Sequence, residues 1–173
     1  MQPDPHLYKG ILRLRVLRHY QSEPISDEDL SEVLEAGRWT GTSKNRQLWS
    51  VVVVRDPQQR DRLAETGNST DPIRRAPVTL VLVQEPEAYE FDVGRVAQNM
   101  MLAASALGIA TCPITLHRPE DAAAVLGLPE GRKSRYAIAM GYPSAEAEVV
   151  KRGGRKPVDE FVHHDSYEES SLS

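Results

Sequence analysis

The sequence holds one cysteine, Cys112, in 173 residues. That excludes an intrachain disulfide and any cysteine-cluster metal site. No apolar run approaches the roughly 18 residues a membrane helix needs, and no basic-then-apolar leader opens the chain. Cationic excess is also missing, since 21 Lys and Arg against 25 Asp and Glu leave a net charge of −4. Nucleic acid and anionic membranes reward the opposite balance, so partnership with either is not expected and any anion site must be local. No catalytic triad, phosphate-cradling loop or zinc signature is visible. "GNST" and "KRGGRK" lack the strand-turn-helix setting that such a loop needs. His163 and His164 have no cysteine or carboxylate constellation around them and read as surface residues. These absences predict a cytoplasmic protein without a metal.

What is present is an ordinary globular composition, 40% hydrophobic and 27% charged, long enough for one domain with a real core. We expect a single domain over residues 1–163 and a polar tail over 164–173. "LYKGILRLRVL" spaces Leu7, Ile11, Leu14 and Leu17 as on a helix, which would place Arg15 and Arg18 on one face and Arg13 elsewhere. The three arginines of "LRLRVLRHY" allow a solvated helix face, a nucleic-acid contact or a grip on one anion. "PISDEDLSEVLEAG" reads as a second helix, capped by Ser26 and ended by Gly37. "WSVVVV", "VTLVLV", "IATCPI" and "RYAIAMGY" read as strands, the first two buried. "PQQRDRLAET" and "PEDAAAVLG" read as short helices. "DVGRVAQNMMLAASALG" is apolar most of the way round, as a core or subunit-interface helix would be. Beyond Pro143 the chain turns polar, an extended arm with a frayed end. The irregular alternation predicts an α/β or α+β class, a mixed sheet covered by helices.

The order of the motifs is more specific than any one of them. "LRLRVLRHY", "EPISDEDLSEVLEAG" and "TSKNRQLWSVVVVRD" are followed by "APVTLVLV", "DVGRVAQNMMLAASALGIATCPI", "AMGYP" and "GRKPVDEFV". Together, over residues 7–163, this series resembles the nitroreductase family. The resemblance implies an α+β fold of three α/β/α layers on a mixed, mostly antiparallel sheet, in an intertwined homodimer with FMN at the subunit interface. It implies that Arg18 reaches the pyrimidine edge or ribityl chain of the flavin, that Arg15 approaches the phosphate, and that Arg155 clamps it. A dianionic phosphate on an acidic protein suits bidentate guanidinium contacts. Thr42, Ser43 and Asn45 match the loop that crosses to the partner's flavin. Pro113, Ile114, Thr115 and Leu116 match the segment beside the isoalloxazine ring, with the Thr115 N–H toward N5. Asp92 matches a polar position near the flavin.

The departures are specific. Leu14 stands where the family has its first motif arginine, and Val16 where it has a serine. Gly41-Thr42 replaces Pro-Ser, and Thr115 stands where some relatives carry an acid. Little sequence is left for a lid. The implied activity is an oxidoreductase passing hydride from NAD(P)H through flavin N5 to a nitroaromatic or quinone in a ping-pong cycle, with no side-chain catalyst named. The alternatives are a flavin-sequestering protein with little turnover and a flavin-free dimeric scaffold.

Overall fold

The computed structural model describes residues 4–149 and 153–167. Helix α1 (Pro5–Arg13) and helix α2 (Asp27–Arg38) precede strand β1 (Trp49–Val54). Two short helices follow, α3 (Pro57–Ala64) and α4 (Asp71–Arg75), then strand β2 (Val78–Gln84) and the long helix α5 (Glu90–Ala106). Strand β3 (Ala110–Thr115), helix α6 (Pro119–Leu126) and strand β4 (Lys133–Gly141) complete the body, and α7 (Val158–Phe161) lies on the C-terminal arm. Among the described residues no helix is long and apolar enough to cross a membrane.

The sheet runs β1-β2-β4-β3, and every neighbouring pair is antiparallel. The expected mixed sheet is therefore corrected: among the described residues the one parallel pairing is an isolated bridge from Val16 to Thr111. The three layers follow from side-chain alternation along the strands. Leu80, Leu82, Ile138 and Met140 face α2 and α5, where they meet Val33, Val93, Val96 and Met100. Val81, Cys112, Ala137 and Ala139 face the other way, onto Leu63, Ile73 and Ala122 of α3, α4 and α6. All seven residues of β2 are buried, as a central strand covered on both faces requires. β1 lies at an edge, so Val53 is 38% exposed rather than buried as the sequence suggested.

The first helix is shorter than its apolar spacing predicts. Leu14 leaves helical geometry (φ −53°, ψ 126°), and the chain then runs beside β3, with the Leu17 N–H donating to the Thr111 carbonyl at 3.1 Å. Val16 and Tyr20 pack on the second core instead of on a helix neighbour. In an extended segment an interval of three puts side chains on opposite sides, so the shared Arg15–Arg18 helix face does not exist. Gly37 also lies inside α2 rather than after it. A Cβ there would come within 2.8 Å of Met100 Cγ, so the missing side chain lets α5 approach closely.

Arg60 ties α3 to the start of β2. It is 9% exposed, and its guanidinium donates to the carbonyls of Ile73 (3.3 Å), Arg74 (3.1 Å) and Ala76. Burial lowers its pKa from the usual arginine value. Methionine fills similar volume but donates nothing. Arg60→Met is therefore expected to cost about 2 kcal/mol by stranding buried carbonyls. A thermal melt should show a fall of roughly 4–8 °C; an unchanged midpoint would show that those carbonyls find other donors.

Candidate functional site

The outer edge of β3 is where the sheet opens. Thr111 accepts from Leu17 on that side, and Leu116 N–H donates inward to the Arg135 carbonyl at 2.7 Å. Backbone groups alternate along a strand. Residues 112, 114 and 116 thus pair with β4, while 111, 113 and 115 face out. Pro113 has no N–H to present. Thr115 does, and its N–H points out of the sheet beyond the stretch covered by residues 16–20. Its carbonyl side is closed by the 66–70 loop, since a Cβ on Gly67 would sit 3.0 Å from the Thr115 oxygen. That loop is pinned by the Asn68 N–H, which donates to His117 Nδ1 at 3.2 Å.

Beside this edge is a cleft of about 540 Å³ between the first turns of α5 and the sheet, with Phe91, Gly94, Ala97, Pro113, Thr115 and Tyr136 on its walls. The volume and apolar lining suit a flat organic ligand of cofactor or substrate size. The register puts Pro113 opposite Ile138 and Thr115 opposite Tyr136, all on the α5 face. Ile114 borders the cleft but buries its side chain in the second core, as does Leu116, which does not reach the cleft.

The loop after α2 is laced to one face of α5. Asn99 donates to Thr40 Oγ1 at 2.8 Å, Arg95 donates to the Gly41 carbonyl at 2.5 Å, and the Thr42 hydroxyl donates to Asp92 Oδ2 at 2.8 Å. Positions 92, 95 and 99 follow one another along a helix face, so three consecutive loop residues are fixed in turn. Thr42 and Asp92, singled out separately in the sequence, are thereby brought together. Ser43–Asn45 then form a single 3-10 turn. Lys44, Asn45 and Gln47 have φ of 52°, 54° and 50°, a left-handed geometry that costs a non-glycine residue on the order of 1 kcal/mol. Ser43 and Asn45 are exposed.

The arginines are arranged differently. Arg15 donates to the carbonyls of Leu12 and Leu14, both at 2.8 Å, and so closes the end of α1. Arg18 is half-buried beside Cys112 and Tyr20. Burial pushes the Cys112 thiol up, while the charge of Arg18 and its hydrogen bond to the thiol pull the other way. Burial, then Cys112, raises the Tyr20 phenol, whose hydroxyl donates to the carbonyls of Leu17 (3.0 Å) and Ala139 (3.2 Å). Both neighbours stay neutral near pH 7, so neither cancels the Arg18 charge. Arg155 stands exposed on the arm, and among the described residues 153–162 make no hydrogen bond or ion pair to the body of the chain. Among the described residues, nine other arginines pair with carboxylates. Among the described residues, no carboxylate lies within ion-pair distance of Arg13, Arg15, Arg18 or Arg155. Among those residues, too, no group of three His, Cys, Asp or Glu is placed to hold a metal.

Phe91, Tyr136 and Arg95 were missed by the sequence reading. The spacing of Phe91 and Arg95, four apart at the start of a helix, was the available signal.

The model of the nitroreductase family matches residues 13–70 and 65–142. The NADPH-flavin oxidoreductase of Vibrio harveyi is 28% identical over 182 residues, covering 94% of this chain and 75% of that protein. The solved structure of nitroreductase A from Vibrio parahaemolyticus superposes with a TM-score of 0.88 at 26% identity, covering 98% of this chain and 80% of the other. That of the NADPH:FMN oxidoreductase from Vibrio harveyi, complexed with NAD+, gives a TM-score of 0.86 at 27% identity, with 96% and 80% covered.

Proposed function

The chain belongs to the nitroreductase family, and from that premise we propose that it is an FMN-dependent oxidoreductase working between NAD(P)H and a nitroaromatic or quinone. The observation that carries this reading is the outward N–H of Thr115 at the rim of an apolar cleft. The residues present fit FMN: a flat apolar slot for the ring, a main-chain donor at its edge, and arginines without carboxylate partners for a dianion. When bound, FMN supplies reversible two-electron hydride transfer, which no side chain of this protein offers.

The chain's own groups position and polarise. The Thr115 N–H would donate toward flavin N5. Pro113 and the flank of α5 exclude water from the ring face. Arg18 would hold the ribityl chain or pyrimidine edge and Arg155 the phosphate, each with fork-shaped donors, whereas Arg15 already spends donors on α1 and would contribute chiefly charge. The homodimer is part of the same proposal. Leu7, Tyr8, Ile11 and Leu12 of α1 are 49–63% exposed, and Val158 and Phe161 of the arm are 74% and 76% exposed. Apolar surface of that extent suits a partner subunit. In the dimer the strained Thr42–Asn45 loop of one subunit reaches the flavin seated on the other. The reading places the protein in the cytoplasm, where NAD(P)H is available.

Anaerobic titration tests it. The purified protein should be yellow, bleach with NAD(P)H, and regain its colour when a quinone is added. Colourless protein that takes up no added FMN would mean a flavin-free scaffold. Bound flavin that NAD(P)H never bleaches would mean a store.

A further inference from the structure

We propose that Phe91 is the stacking platform for the planar electron acceptor, and that Arg95 is the positioning residue that holds its ring at the cleft. The inference rests on the FMN-oxidoreductase reading above and deepens it. Phe91 is 75% exposed on the first turn of α5, yet it lines the same cleft as Pro113 and Tyr136. A phenylalanine held out of the core keeps a large apolar face available to whatever enters.

The ring does not hang free. The Arg95 guanidinium lies 5.7 Å from its centroid, within cation–π range. Arg95 in turn donates to the Gly41 carbonyl at 2.5 Å and lies 3.6 Å from Asp92, which accepts from Thr42. A surface arginine with one partner is a poor anchor; this one is fixed by a helix neighbour and a loop carbonyl. Tyr136, which also lines the cleft, has a looser version of this contact, with Arg135 5.9 Å from its ring centroid and Arg135 itself 3.9 Å from Glu90. Two arginine-backed aromatic rings therefore line one apolar slot. The negative face of a phenyl ring attracts the electron-poor face of a quinone or nitroarene, so Phe91 favours this chemical class over a non-planar acceptor.

The test uses FMN-loaded protein with Phe91→Ala, Phe91→Trp and Arg95→Met. Phe91→Ala should raise the KM for 1,4-benzoquinone about fivefold, the range of one lost aromatic pair. It should raise the Kd of benzoate, read from the flavin absorbance shift, by a similar factor. Ferricyanide, which has no ring to stack, should keep its KM. Phe91→Trp should restore quinone binding, and Arg95→Met should weaken it about twofold, through the lost cation–π contact. Quinone and benzoate parameters that stay at wild-type values overturn the proposal. So does an equal rise for ferricyanide, or dissociation of the Phe91→Ala dimer on sedimentation. Wild-type protein that takes up no FMN overturns this proposal together with the reading beneath it, whereas an FMN-loaded wild type beside an unaffected Phe91→Ala overturns this one alone.

Discussion

Arg18→Ala is expected to weaken FMN binding roughly ten- to 150-fold, the loss of one charge-assisted contact of about 1.5–3 kcal/mol. The size of the effect follows from where the charge sits. Arg18 is half-buried, so solvent screens it less than an arginine on an open helix face. Its neighbours, the raised thiol of Cys112 and the raised phenol of Tyr20, are neutral near pH 7. No carboxylate lies at ion-pair distance among the described residues, and the Cys112 thiol that Arg18 hydrogen-bonds is neutral, so the guanidinium keeps its charge for a bound phosphate or ribityl oxygen. Arg155→Ala should also weaken binding, toward the lower end of that range, because solvent screens its exposed guanidinium more than that of Arg18. Arg18→Lys should recover only part, since an ammonium keeps the charge but not the fork. Arg13→Ala is the comparison, on the exposed last turn of α1. Quenching of flavin fluorescence on titration measures all four, and thermal melts separate lost affinity from lost fold. Equal FMN affinity in Arg13→Ala, Arg18→Ala and Arg155→Ala would sink the assignment of the phosphate grip.

How much of this was legible beforehand differs from residue to residue. The strand β2 and the helix α5 were plain, because a β-branched apolar run and an almost all-round apolar helix leave few alternatives. Ser26 was legible as a cap, and its Oγ accepts from the Asp29 N–H at 3.0 Å. The end of α1 was not. Leu14 and Leu17 kept helical spacing, but Val16 had a better partner in Thr111, far along the chain, and a long-range bridge leaves no local trace. Tertiary pairing overrode the periodicity, and with it the supposed arginine face. The direction of the strands was hidden for the same reason: spacing gives strands but not their order in a sheet. At the site, Thr42 and Asp92 were each singled out without any sign that they touch, since they lie 50 residues apart. Phe91 was overlooked because the apolar pattern marked the helix only from Asp92, whereas α5 begins at Glu90 and carries Phe91 on its first turn.

Thr115→Pro is expected to slow anaerobic bleaching by NAD(P)H about a hundredfold, the typical cost of removing one preorganised main-chain or side-chain donor. The substitution deletes the outward N–H together with the side-chain hydroxyl. Thr115 faces the open edge of β3, so its N–H makes no ladder bond, and those of Ile114 and Leu116 point inward and survive. Two residues earlier the same edge already carries Pro113. A proline also restricts the residue before it to extended geometry, which Ile114 already has within β3. The sheet should therefore persist, and FMN affinity should move far less than the rate, because the arginines and the cleft are untouched. Thr115→Val separates main chain from side chain: it removes the hydroxyl, keeps the N–H, and should bleach at close to the wild-type rate. If the valine variant carries the whole loss, the hydroxyl is the donor. If neither variant slows, the outward N–H has no part in the chemistry, and the observation on which the proposed function stands is removed.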